Sequence, residues 1–450
     1  MAHDANDLPP PSLGEHRADI SRETFSRLRH FRRVLFQQGR PVLDADLNEQ
    51  SAIVLHYLQC LAQDLGGPYF GSAGAFELAH APAGGVFDFS ISPGRYYAGG
   101  LLCENESSVR YLEQPYLAPE RLGIAAVEGD WLIYLEAWER HVGPVEVSGL
   151  QEVALGPVDA AARSQVVWQV KLAKLDGPLD NGVLDHPLPQ ERLRELLWKA
   201  HGLLPDSGTG QLRAWIKPVE PDDEGPCSTA AAARYRGPEN QLYRVEVHRC
   251  TLDGTFFKWS RENSSVYLPI KSIAGKRVTV EHLGRDAQLG VRPLDWVEVT
   301  SAMSVASDPR PPLLQVESVE PDSATVVLSA NPEVDAEHAV LRRWDQRASD
   351  PSGCIRAEIV EPGPSETWHP LEDGIEVQFT RGAGKVEPSF KAGDFWLIPA
   401  RVATADIEWP REGRKPLPVS PRGIVRHYAP LGVAAVNGGA PSVKNHWRKP

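Results

Sequence analysis

The 450-residue sequence contains few sulfur-bearing residues, two methionines and five cysteines. Cys60, Cys103, Cys227, Cys250 and Cys354 are scattered, odd in number and without a CxxC pair, which argues against a disulfide framework or a structural zinc site. Reduced, buried thiols are expected. No apolar run approaches the ~20 residues that a bilayer-crossing helix needs, and Met1 to Glu15 lack the basic-then-apolar pattern of a signal peptide. Cytoplasmic synthesis without a membrane span is the expectation. Positive charge is also in deficit: 47 Lys and Arg face 60 Asp and Glu, a net charge of −13. Such a chain repels a phosphate backbone, so nucleic acid is not an expected partner.

The usual carriers of chemistry are missing too. The 14 histidines form no HExxH or HxH, and His248, His369 and His427 lie far apart. No GxSxG elbow occurs; Gly71-Ser72-Ala73-Gly74 lacks the strand–turn–helix setting that would expose its serine. Neither a Walker A motif nor a GxGxxG precedes a helix, since strand-like residues follow Gly382-Ala383-Gly384. The acids Asp44, Asp46 and Glu49 sit where a helix starts, and N-terminal N–H groups favour negative charge there. Asp88 with Glu104, Glu136 with Glu139, and Glu372 with Asp373 read as solvated faces. No cofactor, metal or catalytic residue is assigned, and the expectation is a protein that is not an enzyme.

What is plentiful is turn-forming residues, 38 Gly and 39 Pro, about 17% of the chain against a usual ~12%. Dense turns imply short strands. The expected fold class is mainly β, with several small sheets or barrel-like β-domains, one long N-terminal helix and a short second helix. A flexible tail is expected at 1–19 and a strand–turn–helix anchor at 20–68. In the anchor, Leu43, Leu47, Val54, Leu58, Leu61 and Leu65 track one face at 3.6 residues per turn. Asp46 and Glu49 suggest an acidic capping box, and Gly66-Gly67-Pro68 stops the helix. Such a stripe must pack on something, either the chain's own sheet or another subunit.

A first β-rich domain is expected at 69–204. Gly99-Gly100 reads as a two-residue hairpin turn, Trp131 to Trp138 and Ser164 to Leu172 as central strands, and 191–201 as the second helix. A polar linker at 205–230 leads to a second, small barrel-like domain at 231–345. There Leu242 to His248, Leu294 to Val299, Leu313 to Val319 and Ala324 to Leu328 read as strands. A third β-rich segment, 346–410, echoes the barrel pattern at Ala392 to Ile398, and 411–450 reads as an extended C-terminal tail draped over a surface or a neighbour.

The most unusual local run is Phe256 to Asn263 (FFKWSREN). Exposed, Trp259 and Arg261 would stack on a sugar or peptide; buried, Lys258 and Arg261 would cover rings and tie strand ends through Glu262. Trp259, Arg261, Trp396 and Trp409 are the candidate ligand-stacking residues.

Five blocks, in order along the chain, carry a family resemblance: Val34 to Gln50 (VLFQQGRPVLDADLNEQ), Glu152 to Leu172 (EVALGPVDAAARSQVVWQVKL), Arg234 to His248 (RYRGPENQLYRVEVH), Phe257 to Val266 (FKWSRENSSV) and Gly393 to Pro410 (GDFWLIPARVATADIEWP). They resemble an uncharacterised bacterial protein family of contractile injection system and phage-tail-like particle gene clusters. Two positions depart from the pattern: Ser264 stands where Gly would serve a positive-φ turn, and Ala160-Ala161-Ala162 is plainer than a Thr-containing stretch. The resemblance implies a structural subunit of such a particle, baseplate- or fibre-proximal, working by protein–protein assembly. It implies partners among baseplate, sheath, tube or fibre proteins, a homo-oligomer within the assembly, and assembly in the cytoplasm into a cytoplasmic or released particle. Candidate interface residues are Gln38, Arg40, Leu47, Val54, Leu58 and Leu61. The rival readings are a carbohydrate-binding fibre or adhesin, and a particle-borne cell-wall-degrading enzyme with Glu262, Asp295 or Asp394 as acids.

Overall fold

A computed structural model describes residues 15–80, 88–115, 129–147, 149–155, 159–175, 188–201, 208–217, 234–284, 289–301, 311–334, 339–347, 352–360, 367–381, 390–436 and 442–445. The chain is mainly β, with several small sheets, a six-stranded closed barrel and two α-helices among these residues. Residues 1–14 of the expected tail and 205–207 and 218–230 of the expected linker lie outside them.

The N-terminal half is built on a four-stranded antiparallel sheet in the order Ser442–Asn445, His427–Val436, Gly129–Val142, Arg163–Lys174. The Trp131 to Trp138 run is apolar almost throughout because both faces of this sheet are covered. Ile133, Leu135 and Ala137 pack on Phe89 and Tyr96 of two small three-stranded sheets and on Phe76 of the turn between their first strands. Alternate residues Leu132 and Tyr134 face the second helix, α2 (Gln190–His201), through Leu193 and Leu197. The C-terminal residues are thus no loose drape: His427–Val436 is an inner strand.

In the C-terminal half, an open sheet runs in the order Ile355–Ala357, Gly254–Ser260, Gln241–Thr251, Phe395–Arg401, Asp406–Ile407. One face, with Val245, Val247, Phe257 and Trp396, packs on Ala214, Val377 and Phe379 of a second sheet. That second sheet includes Gln211–Ile216, so part of the expected linker is a strand. The open sheet draws strands from both sides of the 345/346 boundary.

The barrel loops out between those strands. Its strands are Tyr267–Ala274, Arg277–Val280, Thr325–Leu328, Leu313–Glu320, Trp296–Thr300 and Val340–Trp344, each paired with the next and the last with the first. Val297, Val299, Leu314, Val316, Val326 and Leu341 fill the interior, while Trp296, Leu313 and Trp344 point outward onto Phe256 of the open sheet. Phe395–Arg401 belongs to the open sheet, so the echo at Ala392 to Ile398 is not a second barrel.

Before these domains comes an arm, residues 15–43, that forms no strand; it is extended apart from a short 3-10 turn at Arg27–Arg29. A turn follows, in which Arg40 N–H donates to the Gln37 carbonyl and Gly39 has φ +70°. The long helix, α1 (Asp44–Gly66, 23 residues), then begins two residues before the expected Asp46 cap. Its N-cap is Leu43, which offers no side-chain hydrogen bond. The acids serve the arm instead: Asp44 accepts from the Ser21 N–H and hydroxyl, each at 2.8 Å, and Glu49 accepts from the Thr24 hydroxyl at 2.6 Å. As expected, the helix stops at Gly66, with Gly67 at φ +88°.

Candidate functional site

In α1 the usual amphipathic order is reversed. Its buried residues are Ala45, Ala52 and Ile53, of which Ala52 and Ile53 meet Phe25 and the partly buried Val34 of the arm. The leucine stripe on the opposite face stays in solvent: Leu47 is 51% exposed, Leu58 56% and Leu61 55%. Val54, Gln38 and Arg40 are exposed as well. Of 19 exposed large hydrophobic side chains in the described chain, 13 fall between Leu28 and Leu65, so they form one region and not a scatter.

This region is held rigidly at both ends. At the far end of α1, the Gln63 amide donates to the Gly99 carbonyl at 2.7 Å. The Gly99-Gly100 turn joins Gly94–Ala98 to Leu101–Asn105, as the dipeptide predicts. Both glycines have positive φ, and a Cβ on Gly100 would lie 2.7 Å from the Gln59 carbonyl oxygen; only glycine permits the approach. Between arm, helix and sheets runs a groove of about 1100 Å³ whose walls include His56, Gln59, Trp396 and Trp409.

At the other end the arm inserts charge into the protein. Arg244, Glu246 and Lys258 alternate with the sandwich-facing valines and aromatics of the open sheet, so they occupy the face that an antiparallel sheet normally shows to water. Here the arm and the barrel wall cover that face. Arg17 sits between Glu15 at 3.0 Å and Glu246 at 3.4 Å. Arg244 bridges Glu246 at 2.7 Å and Glu15 at 3.1 Å. Lys258 reaches Glu298 of the barrel at 2.9 Å and lies 4.0 Å from the Trp344 ring centroid. All six charged side chains are nearly inaccessible.

Burial alone would raise the carboxyl pKa of Glu15, but Arg17 and Arg244 hold it down to about 2. Against the same burial, Lys258 and Arg17 lower Glu298 to about 2. The arrangement fixes where the arm lies, because each charge has few alternative partners.

The departure at Ser264 proves informative. Asn263 and Ser264 both adopt left-handed backbone, φ +48° and +58°, so the turn forms without glycine. The arm grips it: Asn263 Nδ2 donates to the Ala18 carbonyl at 2.9 Å and Arg17 donates to Ser264 Oγ at 3.3 Å. Ser260 Oγ accepts from the Ser264 N–H, and Arg342 donates to the Ser264 carbonyl. Further along the arm, Arg22 pairs with Glu408 at 2.7 Å, Arg422 pairs with Glu23, and Arg401 donates to the Ser21 carbonyl.

The candidate stacking residues are packed into the protein, with Trp396 and Trp409 forming part of the groove wall. Trp259, Trp396 and Trp409 are 3%, 1% and 8% exposed. The indoles of Trp396 and Trp409 donate to the Val419 and Leu417 carbonyls, each at 2.9 Å. Arg261 pairs with Glu372 at 2.8 Å. Lys258 covers an aromatic ring, as its buried reading predicts, but its partners are Glu246 and Glu298 and not Glu262. Among the candidate acids, buried Asp394 accepts the backbone N–H groups of Gly208 and Lys391, and Asp295 accepts that of Arg292. Burial, then Asp19 and Asp345, raise Glu262 to about 7. Among the described residues, no group of three or more His, Cys, Asp and Glu is placed to hold a metal ion, and no helix is long and apolar enough to cross a membrane.

Sequence reasoning missed the charged cluster. The available signal was opposite charge directly across strand pairs, Glu246 facing Lys258 and Glu298 facing Arg342, which becomes visible only with the register in hand.

A family model described as "Family of unknown function (DUF6519)" matches residues 16–186 and 180–444. No curated protein and no solved structure matches the chain.

Proposed function

The chain belongs to the DUF6519 family of unknown function, and on that premise we propose that it is a structural subunit of a contractile injection system or phage-tail-like particle. It works by docking against other subunits near the baseplate or fibres. The observation that carries this reading is the exposed apolar face of α1 and the arm. Leaving leucines in water while alanines face inward is unfavourable for an isolated chain, at about 25 cal/mol per Å² of apolar surface. Another surface that covers them recovers that free energy.

The anchoring supports the same reading. A free tail would lose conformational entropy on docking; this helix is already fixed by Gly99-Gly100 at one end and by the Arg17 cluster, through the arm, at the other. The five sequence blocks that resemble particle-associated proteins supply the assembly class. On this reading the subunit assembles in the cytoplasm and is then carried by a cytoplasmic or released particle.

The test is a producing strain in which Leu58→Glu and Leu61→Glu replace the wild-type residues. Purified particles are expected to be absent or misassembled, with the variant chain folded but unincorporated. Particles of normal composition that still contract would overturn the proposal.

A further inference from the structure

Resting on that assembly reading, we infer that the partner of the α1 face is a second copy of this chain, joined through a two-fold interface of arm and helix. Three features of the region point to it.

The first is spacing. Leu47, Ser51, Val54, Leu58, Leu61 and Leu65 follow one another at intervals of four, three, four, three and four residues. That is heptad spacing, by which one helix meets another helix, and exposed Leu55 and Tyr57 widen the seam on its two flanks. Ser51 is the single polar residue in the seam, a position that sets register at some cost in stability.

The second is area. The 13 exposed apolar side chains between Leu28 and Leu65 present on the order of 1,000 Å², above the ~800 Å² per partner of a standard stable interface. The largest apolar patch of a typical monomer is ~300–600 Å².

The third is charge. Residues 27–40 carry Arg27, Arg29, Arg32, Arg33 and Arg40 and no acid, whereas α1 carries no Lys or Arg and, besides Asp44 and Glu49, which bind the protomer's own arm, has Asp46 and Asp64. All five arginines are exposed, and among the described residues they form no ion pair. One patch therefore holds a basic half and an acidic half. Such a patch is complementary to a rotated copy of itself, which is the requirement of an isologous contact. In the pair, the leucine seams meet and the basic arm of each copy lies against the acidic flank of the other helix.

The test is the mass of the purified full chain by sedimentation equilibrium at micromolar concentration. A dimer is expected. The variant Leu58→Glu/Leu61→Glu should dissociate more readily by on the order of 100-fold and, at a dilution where both chains are monomeric, keep the wild-type melting profile, because both side chains are exposed within the protomer. Charge gives a second, independent readout. Arg32→Glu/Arg33→Glu in one chain, or Asp46→Lys/Asp64→Lys in another, should each weaken self-association, while mixing the two chains restores a heterodimer.

A wild-type chain that remains monomeric overturns the inference, whether it then binds phosphatidylserine vesicles or another protein. So does a dimer whose stability none of these substitutions changes. The assembly reading fails separately: it survives if a monomeric chain still needs Leu58 and Leu61 for incorporation, and falls if the dimer forms while particles assemble without that face.

Discussion

Arg17 and Glu246 meet at 3.4 Å inside the protein although 229 residues separate them in sequence. The contact ties the start of the described chain to the middle of the open sheet, and through Lys258 and Glu298 to the barrel. Removing one member of such a buried set leaves uncompensated charge, at a cost of about 3–5 kcal/mol. Arg17→Ala should therefore lower the melting temperature by several degrees and release the arm to proteolysis between Ser21 and Arg40. A melting temperature equal to wild type would show that the arm does not depend on this cluster.

The acid limb of stability follows from the same carboxylates. Glu15, Glu23 and Glu298 have folded values lowered to about 2 from 4.5, so the unfolded chain binds more protons than the folded one between those values. Their contribution is complete above pH 4.5 and disappears as pH falls towards 2. Urea titrations at stepped pH should show this decline, and Glu298→Gln should flatten it.

Glu262 acts with the opposite sign. Its folded value is raised from 4.5 to about 7, so the folded protein holds the extra proton across that window and this residue's contribution falls as pH rises from 4.5 to 7. Glu262→Gln should raise stability at pH 7.5 while changing it little at pH 4.5. Equal effects at the two values would contradict the assignment.

Ser264 stores strain that its contacts offset. A non-glycine residue in left-handed backbone costs about 1–3 kcal/mol. Ser264→Gly relieves this and loses the Arg17 hydrogen bond, so a net change within about 1 kcal/mol is expected from chemical denaturation. Ser264→Val adds a β-branched side chain at positive φ and should destabilise by more than 2 kcal/mol, on the order of the αL penalty plus the lost bond.

Tryptophan and leucine substitutions should follow burial, with Trp396 in the core and Leu58 at the surface. Trp396→Ala removes a buried indole and should cost about 3–5 kcal/mol, whereas Leu58→Ala on the exposed stripe should change protomer stability by no more than about 0.5 kcal/mol. Thermal melts of the two variants, with the second measured under conditions that keep the chain monomeric, provide the comparison.

The strands were legible wherever one period governed them. Leu313 to Val319 and Ala324 to Leu328 are apolar at the positions that fill the barrel, Leu314, Val316, Val326 and Leu328, although a bulge between Val316 and Ser318 interrupts the alternation. The α1 stripe was legible in its period but not in its direction, since the period is the same whether leucines face inward or outward. His427–Val436 was missed because Pro430 and Gly432 break its pattern; the register with Gly129–Val142 shifts at these residues, and that bulge accommodates the proline within an inner strand. Glu15, Arg17 and Lys258 were invisible as a set because their meeting depends on which sheet face the arm crosses, a long-range fact with no local trace.

The inner position of His427–Val436 also orders events during synthesis. Gly129–Val142 leaves the ribosome with one edge open, and the strand that closes it is made only after the open sheet and barrel have been translated. A nascent chain stalled before that point exposes an aggregation-prone edge, and the hairpin on which α1 rests lies against an unfinished sheet. Setting α1 on a finished sheet thus requires translation through His427–Val436, so a chain that terminates before that strand carries the helix on an incomplete, aggregation-prone support.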